Sequence, residues 1–572
     1  MTNFRIDRHR FSRAEVKAWG NGDERYTNWP VVYTLDDDTN VYVGESLNVA
    51  ARMRQHLDSP QKQHLRAVRV VIDDTFNKSV CLDLESYLIR LLAGDGKYRV
   101  LNRNDGITDA DYYSRGQYQD TFDAIFRELR GEGMFTRTVA QIENSDLFKL
   151  SPFKALSHDQ AIAVEDILEG LFDDLHSGAP STIVIQGSPG TGKTVVAIYL
   201  MKLLRDISTT PPGEALDSDS IFSEFFVEEN RALLNEFRVG LVIPQQSLRT
   251  SVQKVFRKTP GLSADMVLTP FEVGQSEPRF DLLIVDETHR LNQRANQASA
   301  ALNQKFAEIN ARLFGADDTS KTQLDWIRTQ SNHQIFLLDS AQSVRPADLP
   351  TPTQERLVAD AVKRRRHYLL SSQMRVRAGV DYIGYIRQIL SSKPPARQEF
   401  IDYDFRMFDR LSQMRDEIRR RDAETGLARL VAGYAWPWKS KKDPSAYDIE
   451  IEECRFRWNR ATRDWINSPG SLDEVGSIHT VQGYDLNYAG VIIGPELRYD
   501  PRLCRLLVDR ANYRDTKGKE NNRSLGITYT DDDLLRFITN IYGVLLTRGI
   551  RGTYIYVCDP ELRSYLRQLV RN

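Results

Sequence analysis

The sequence predicts an α/β chain, a small mixed α/β module followed by two doubly wound parallel-sheet domains. Three observations predict it. An apolar run at residues 182–185 leads into Gly187-Ser188-Pro189-Gly190-Thr191-Gly192-Lys193-Thr194, and an apolar helical stretch follows at 195–200. Further apolar runs at 239–244, 282–285, 335–338 and 491–493 each read as a buried strand. Ahead of them, the first hundred residues read as short strands alternating with helices, with a hairpin near the start. The chain divides accordingly into residues 1–110, a helical connector at 111–150, a first parallel-sheet domain at 151–345, and a second at 346–572 with an insertion at about 380–470.

Composition narrows the class. A chain of 572 residues with 41% hydrophobic and 27% charged residues can bury a sizeable core. The net charge of -2 excludes a global basic field, so any nucleic-acid contact must come from local patches. Cys81, Cys454, Cys504 and Cys558 are scattered without paired metal spacing, which fits a reducing compartment and a cytoplasmic location. The polar start and the lack of an eighteen-residue apolar run argue against secretion and membrane contact.

In the N-terminal module, residues 31–35 and 41–44 read as two strands around a polar turn at 36–40. The next helix places Asn48, Arg52 and His56 at i, i+4 and i+8 on one face. A strand at 67–72 precedes a helix from about 80 to 92 that carries Asp83 and Glu85 among apolar residues, and Val100-Leu101-Asn102 follows. These residue types suit phosphodiester cleavage. A carboxylate can hold a divalent ion, an arginine can clamp the phosphate with a planar fork, and a tyrosine or histidine can handle the proton. Taken singly, each is an ordinary strand aromatic or solvated helix residue. The ordered set Val32-Tyr33, Tyr42-Val43-Gly44, Asn48, Arg52, His56, Glu85 and Asn102 resembles the GIY-YIG nuclease family over residues 25–105. Val31-Val32-Tyr33 stands where the family has Gly-Ile-Tyr, a departure at apolar strand positions only. The resemblance implies a catalytic set of Tyr33, Tyr42, Arg52, His56 and Glu85. Tyr33 or Tyr42 would lie near the attacking water, Arg52 on the phosphate, and Glu85 on Mg²⁺ or Mn²⁺.

The connector holds a helix near 120–130 with Phe122, Ile125, Phe126 and Leu129 on one side. Beyond it, Gly187 to Thr194 is a P-loop in the right context, strand before and helix after. Its glycines turn backbone N–H groups inward around a polyphosphate at a helix N-terminus. Lys193 would reach the β- and γ-phosphates of ATP, and Thr194 would hold Mg²⁺. Asp286-Glu287 ends an apolar strand as a Walker B pair, Asp286 toward Mg²⁺ and Glu287 toward the attacking water. Gln160 lies upstream, where an amide that both donates and accepts can read adenine. Gln342 is placed to sense the γ-phosphate. Arg375 and Arg548 are candidate arginine fingers, with Arg551 more structural. The basic run 363–367 reads as a solvated face, and Trp436 and Trp438 as core residues rather than a base-stacking platform.

Asp286-Glu287-Thr288-His289-Arg290, Gln373-Met374-Arg375, Gly433-Tyr434-Ala435-Trp436, His479-Thr480-Val481-Gln482-Gly483 and Thr547-Arg548-Gly549 together resemble the superfamily 1 helicases. The closer likeness is to the Schlafen group 3 DNA/RNA helicase domain, over residues 151–572. That implies two RecA-like sheets with ATP between them, and Thr480, Gln482 and Gly483 coupling the nucleotide to a nucleic-acid strand. The expectation is an ATP-dependent nuclease-helicase that translocates on DNA or RNA, with defence against foreign nucleic acid as an analogy from such fusions. Two alternatives share the fold. One is an ATP-driven remodeller with an inert nuclease module. The other is a non-processive NTPase switch that signals to a protein partner or another copy of the chain.

Overall fold

The computed structural model describes residues 4–19, 23–103, 112–211, 222–295, 297, 299–339, 343–371, 381–391, 394–461, 465–481 and 484–570. Packing divides the chain into two units. One comprises residues 1–177, 194–237 and 251–266; the other comprises 178–193, 238–250 and 267–572.

The first unit opens with a five-stranded sheet of β1 (Arg5–Arg10), β2 (Val31–Asp36), β3 (Asn40–Ser46), β4 (Ala67–Ile72) and β5 (Arg99–Val100), in the order β1-β4-β2-β3-β5. The hairpin expected from the sequence is present, with Tyr33 opposite Gly44. The Asp37 carboxylate accepts the N–H groups of Thr39 and Asn40, which closes the turn. Alternate residues face opposite sides of the sheet. Val32, Val43 and Val71 pack in one core with Leu84, Leu88 and Leu91 of the helix Lys78–Asp95, whereas Tyr33, Val68 and Val70 pack in another with Ala50 and Met53 of the helix Val49–Asp58. Strand β1 was not expected. It reads Arg-Ile-Asp-Arg-His-Arg and buries Ile6 alone, so hydrophobic alternation does not betray it. It pairs antiparallel with β4 at the sheet edge, where charged side chains discourage further pairing.

The helix Gln119–Gly131 buries Phe122, Ile125, Phe126 and Leu129, as the spacing predicts. These four join the core that contains Val32 and Leu88, so the stretch read as a connector completes the N-terminal core.

The second unit holds two parallel sheets. The first comprises β6 (Thr182–Gly187), β7 (Val239–Val242), β8 (Val267–Leu268), β9 (Phe280–Val285), β10 (Ser331–Leu338) and β11 (His367–Leu370), in the order β11-β6-β10-β9-β7-β8. Each pairing is parallel. Strand β11 lies beyond residue 345, so the sheet draws on sequence past the boundary expected there. The second sheet is built from β12 (Asp404–Met407), β13 (Ala428–Ala432), β16 (Val475–Ser477), β17 (Leu486–Ile493) and β20 (Gly549–Val557), in the order β12-β20-β17-β13-β16. It too is parallel throughout. Two hairpins accompany it, β14 (Ile449–Ile451) with β15 (Cys454–Phe456) and β18 (Leu497–Asp500) with β19 (Arg505–Val508). Strands β12 and β13 fall inside the stretch read as an insertion; both belong to the sheet itself. Parallel sheets in an α/β chain agree with the RecA-like architecture expected from the sequence.

Candidate nucleotide and phosphodiester sites

In the N-terminal sheet, Tyr33 and Tyr42 come from the two strands of the hairpin and His56 from the helix after it. Tyr33 is fully buried, and its hydroxyl lies 2.8 Å from His56 Nε2. The Tyr42 ring meets His56 edge-on, with centroids 5.1 Å apart. Arg52, one turn before His56, is in electrostatic reach of both tyrosines, and Glu85 is near enough to act on Tyr33 electrostatically. Five expected residues are therefore brought together. Gly44 has a steric reason: a Cβ there would stand 2.3 Å from the Tyr33 hydroxyl. Asn48 caps the helix, accepting Ala51 N–H at 2.9 Å. Asn102 exchanges two hydrogen bonds with the Val43 backbone and pins β3.

Sequence reasoning missed Lys62. Its Nζ lies 3.3 Å from His56 Nδ1 and 3.4 Å from the Tyr42 ring centroid. A lysine ammonium only donates, so Nδ1 accepts and the imidazole proton sits on Nε2, facing the Tyr33 oxygen. Burial, then Lys62 and Arg52, push the His56 pKa down to about 2, so the ring is neutral. Burial also lifts Tyr33 well above its usual value, with Arg52 opposing. Lys62 sits in a turn outside any periodic stretch, and only the folded chain brings it to His56.

In the first parallel sheet, β6 and β10 are neighbours. The chain leaves β6 for β7 on one side and leaves β10 for β11 on the other, so their C-terminal ends form the switch point where such sheets hold ligands. The P-loop starts at the end of β6, and Asp339 directly follows β10. Gly190 (φ 84°) and Gly192 (φ 78°) take left-handed backbone that other residues avoid. Lys193 Nζ donates to the carbonyls of Gly187 at 2.6 Å and Ser188 at 3.0 Å, and lies 3.9 Å from Asp339 Oδ2. Thr191 Oγ1 donates to the Ser188 carbonyl, which closes the loop on itself. Pro189 lines a cavity beside Gly543 and Thr547. Thr194 follows Lys193 in the first turn of the helix Lys193–Thr209.

Asp286 and Glu287 close β9. Asp286 is buried and accepts Glu287 N–H at 2.9 Å, and Glu287 itself is left-handed at φ 50°. Glu287 Oε2 lies 3.0 Å from His289 Nε2, off the line of a hydrogen bond. Burial disfavours the Glu287 charge, but His289, Lys193 and Arg290 outweigh it and hold the carboxyl below its usual range.

The remaining expected residues are placed differently. Gln160 is buried and forms a capping box with Ser157: its Oε1 accepts Ser157 N–H, and its own N–H donates to Ser157 Oγ. Thr480 Oγ1 is wired to Asn459 and Ser477. Arg548 is buried, with Nη1 donating to the Tyr484 carbonyl. Arg551, by contrast, is exposed. Trp436 and Trp438 pack partly buried on the core of the second parallel sheet. Gln342, Arg375, Gln482 and Gly483 lie outside the described residues. Sequence reasoning also missed a polar bridge in which Arg345 Nη2 approaches both His479 nitrogens, at 2.8 and 2.7 Å, while Asp515 lies 3.4 Å from Nε2. Burial and Arg345 lower the His479 pKa to about 4, against the pull of Asp515.

Residues 180–559 match the family described as Schlafen group 3, DNA/RNA helicase domain. The chain belongs to that family. It is a P-loop NTPase of the Schlafen group 3 helicase type, and the matched span includes the P-loop, Walker B pair and both parallel sheets. The protein YPL245W of Saccharomyces cerevisiae is 26% identical over 412 residues, covering 68% of this chain and 84% of that protein. The structure of Pif1 helicase from Bacteroides in complex with ADP-AlF3 and ssDNA is 9% identical, covering 70% of this chain and 92% of that chain with a TM-score of 0.25. At that score the likeness decides nothing about fold or ligand.

Proposed function

We propose that this Schlafen group 3 helicase is an ATP-dependent nuclease-helicase whose N-terminal module is a GIY-YIG nuclease. The observation that carries the nuclease reading is the cluster of Tyr33, Tyr42, Arg52 and His56 around one buried hydroxyl, with Glu85 in electrostatic reach. The Tyr33 oxygen faces His56 Nε2–H and lies in the field of the Arg52 guanidinium. Both oppose the burial that disfavours a tyrosinate, without overcoming it. Tyr33 would take the proton of an attacking water once the charge of a bound ion is added, while Arg52 holds the phosphate. Glu85 is the carboxylate that would hold Mg²⁺ or Mn²⁺ at this cluster. Such an ion supplies Lewis-acid charge at the phosphate.

In the motor, ATP is the proposed nucleotide. Asp286 and Thr194 carry the hard oxygens that Mg²⁺ takes, and Lys193 would exchange its loop carbonyls for phosphate oxygens. The ionised Glu287 would orient the attacking water. DNA or RNA is the proposed partner, with Thr480, Gln482 and Gly483 joining it to the nucleotide.

The test is a cleavage and ATPase panel on single-stranded, duplex and forked DNA and RNA, with Mg²⁺ or Mn²⁺. Tyr33→Phe should lower cleavage by about a hundredfold or more, the usual worth of a general base, with nucleic-acid-stimulated ATPase intact. Cleavage undiminished in Tyr33→Phe would remove the nuclease assignment.

A further inference from the structure

We infer that the first parallel sheet carries a second phosphate site, at the end opposite the P-loop, that takes a compact oligophosphate. A cavity of about 470 Å³ opens at the N-terminal ends of β6, β10 and β9, where Thr182, Ser331 and Arg279 stand in or just ahead of neighbouring strands. Its size falls within the roughly 300–1,000 Å³ of small-molecule sites. The P-loop begins where β6 ends, at Gly187, whereas Thr182 begins that strand. At about 3.3 Å of rise per residue the two sites lie roughly 17 Å apart, so a ligand in one does not occupy the other.

Three guanidiniums line this cavity, and they arrive from separate parts of the chain. Arg279 precedes β9, Arg328 lies in the last turn of the helix Gln323–Gln330, and Arg364 is the C-cap of the helix Thr351–Lys363. Arg279 Nη2 donates to the Ser331 carbonyl at 3.2 Å, which ties that side chain to the cavity wall. Arg328 and Arg364 are exposed, and among the described residues their side chains meet no hydrogen-bond or ion-pair partner. Asp360 is the one acid among the described lining residues, and it forms no ion pair with them. Beneath the arginines the polar side chains satisfy one another. Gln334 Nε2 donates to the Ser331 carbonyl and hydroxyl oxygens, each at 3.1 Å, and Thr182 Oγ1 donates to Gln334 Oε1 at 2.9 Å. The strand ends are thus held in place before any ligand arrives.

Helix ends explain part of this charge. The C-terminus of a helix carries about half a negative charge, which favours a cation in its last turn. That accounts for Arg328 and Arg364 singly, but not for Arg279 or for the convergence of all three on one concavity. Three positive charges against Asp360 and two helix ends leave about one net positive charge for a ligand. Guanidinium forks match phosphate oxygens in pairs, and three forks around one cavity suit adjacent phosphates better than a single carboxylate. Among the described residues no aromatic side chain lines the cavity, so it lacks the stacking platform on which single strands are held. These observations favour a free oligophosphate over the backbone of a nucleic acid. The basic run 363–367 is solvated as its sequence suggests, yet through Arg364 it supplies one wall of the site.

Calorimetric titration of the full chain with pyrophosphate, without divalent ions, tests this. Lys193→Ala is the background throughout, so that the P-loop does not take the probe, and no readout requires ATP hydrolysis. Pyrophosphate should bind this variant saturably. Adding Arg328→Ala or Arg364→Ala should weaken binding by about tenfold or more, as loss of a charge-assisted hydrogen bond does. Both side chains are exposed, and thermal melts should show the fold retained. Lys363→Ala, beside the cavity but not lining it, should change the affinity by less than about twofold, because a solvated charge is screened. Single-stranded DNA and RNA oligonucleotides titrated into the same variants should show no dependence on Arg328 or Arg364. Three results would overturn the site: no pyrophosphate binding, binding indifferent to both arginines, or equal weakening by Lys363→Ala, which would mean a diffuse field. Oligonucleotide affinity that falls in step with pyrophosphate affinity would overturn the ligand class and assign these arginines to a nucleic-acid backbone.

Discussion

Single side chains at the two sites are held ready by neighbours that control their charge. Lys193 rests on two carbonyls of its own loop, so its ammonium is desolvated and oriented before any phosphate arrives. Lys193→Ala should abolish ATP hydrolysis. Glu287→Gln should bind ATP with near-normal affinity yet turn it over about a hundredfold or more slowly, checked by nucleotide binding alongside single-turnover hydrolysis. Normal turnover in Glu287→Gln would remove Glu287 as the residue acting on water. At the N-terminal cluster, Lys62 sets the His56 tautomer through Nδ1. Lys62→Ala should let the imidazole proton occupy either nitrogen, weaken the donor to Tyr33, and slow cleavage by about tenfold. It should also raise the His56 pKa, because a positive neighbour that lowers it is gone. NMR titration of the ring, set beside cleavage rates, checks both outcomes. Unaltered tautomer and rate would mean that burial alone governs His56.

Whole elements carry the next layer of constraint, and one of them is pH-sensitive by construction. Glu496 follows β17 and is buried, with the Tyr542 hydroxyl donating to Oε1 at 2.5 Å and no hydrogen-bond partner for Oε2. Two strand ends close on it: a Cβ at Gly494 would stand 2.3 Å from Oε2, and one at Gly433 2.5 Å from Oε1. Burial raises its pKa to about 7, against the Tyr542 hydrogen bond. For an acid raised in the fold, the native state binds a proton that the unfolded state lacks between about pH 4.5 and 7. Its stabilisation is full below that window and lost as the pH rises through it. Glu496→Gln should therefore raise Tm over wild type at pH 8 and leave it nearly unchanged at pH 4.5, measured by thermal melts across that range. An equal shift at both pH values would show a packing effect instead. This buried carboxyl had no sequence signal, whereas the P-loop, the Walker B strand and the hairpin did. Those elements announce themselves because local chemistry dictates their residues: Gly190 and Gly192 need left-handed backbone, and Asp286 must end an apolar strand. Strand β1 was hidden because an edge strand buries only Ile6 among charges. Strand β11 lies past an expected boundary because its membership is decided by pairing with β6, which residue order does not encode. Lys62 and Asp339 escaped for a related reason: each matters through a partner that only folding brings near.

At the scale of the molecule, the tyrosine-histidine cluster belongs to the core that includes Met53 and Val70, whereas the P-loop grows from a different sheet. The helix Gln119–Gly131 completes the N-terminal module by burying Phe122, Ile125, Phe126 and Leu129. Sites built on separate cores should be separable by mutation. Glu85→Ala should remove metal-dependent cleavage and leave nucleic-acid-stimulated ATPase within about twofold, as for sites with no shared partners. Lys193→Ala should do the reverse, sparing cleavage of strands that reach Arg52 by diffusion. On the proposed nuclease reading, the motor would contribute by delivery, raising the effective concentration of strand at the N-terminal cluster. That contribution must grow with the length of strand available to feed. ATP should therefore stimulate cutting most on long substrates and hardly at all on oligonucleotides too short to span both sites. Cleavage rates measured over a length series, with ATP and with a non-hydrolysable analogue, decide the matter. Equal rates with and without hydrolysis at every length would show that motor and nuclease share a chain but not a task.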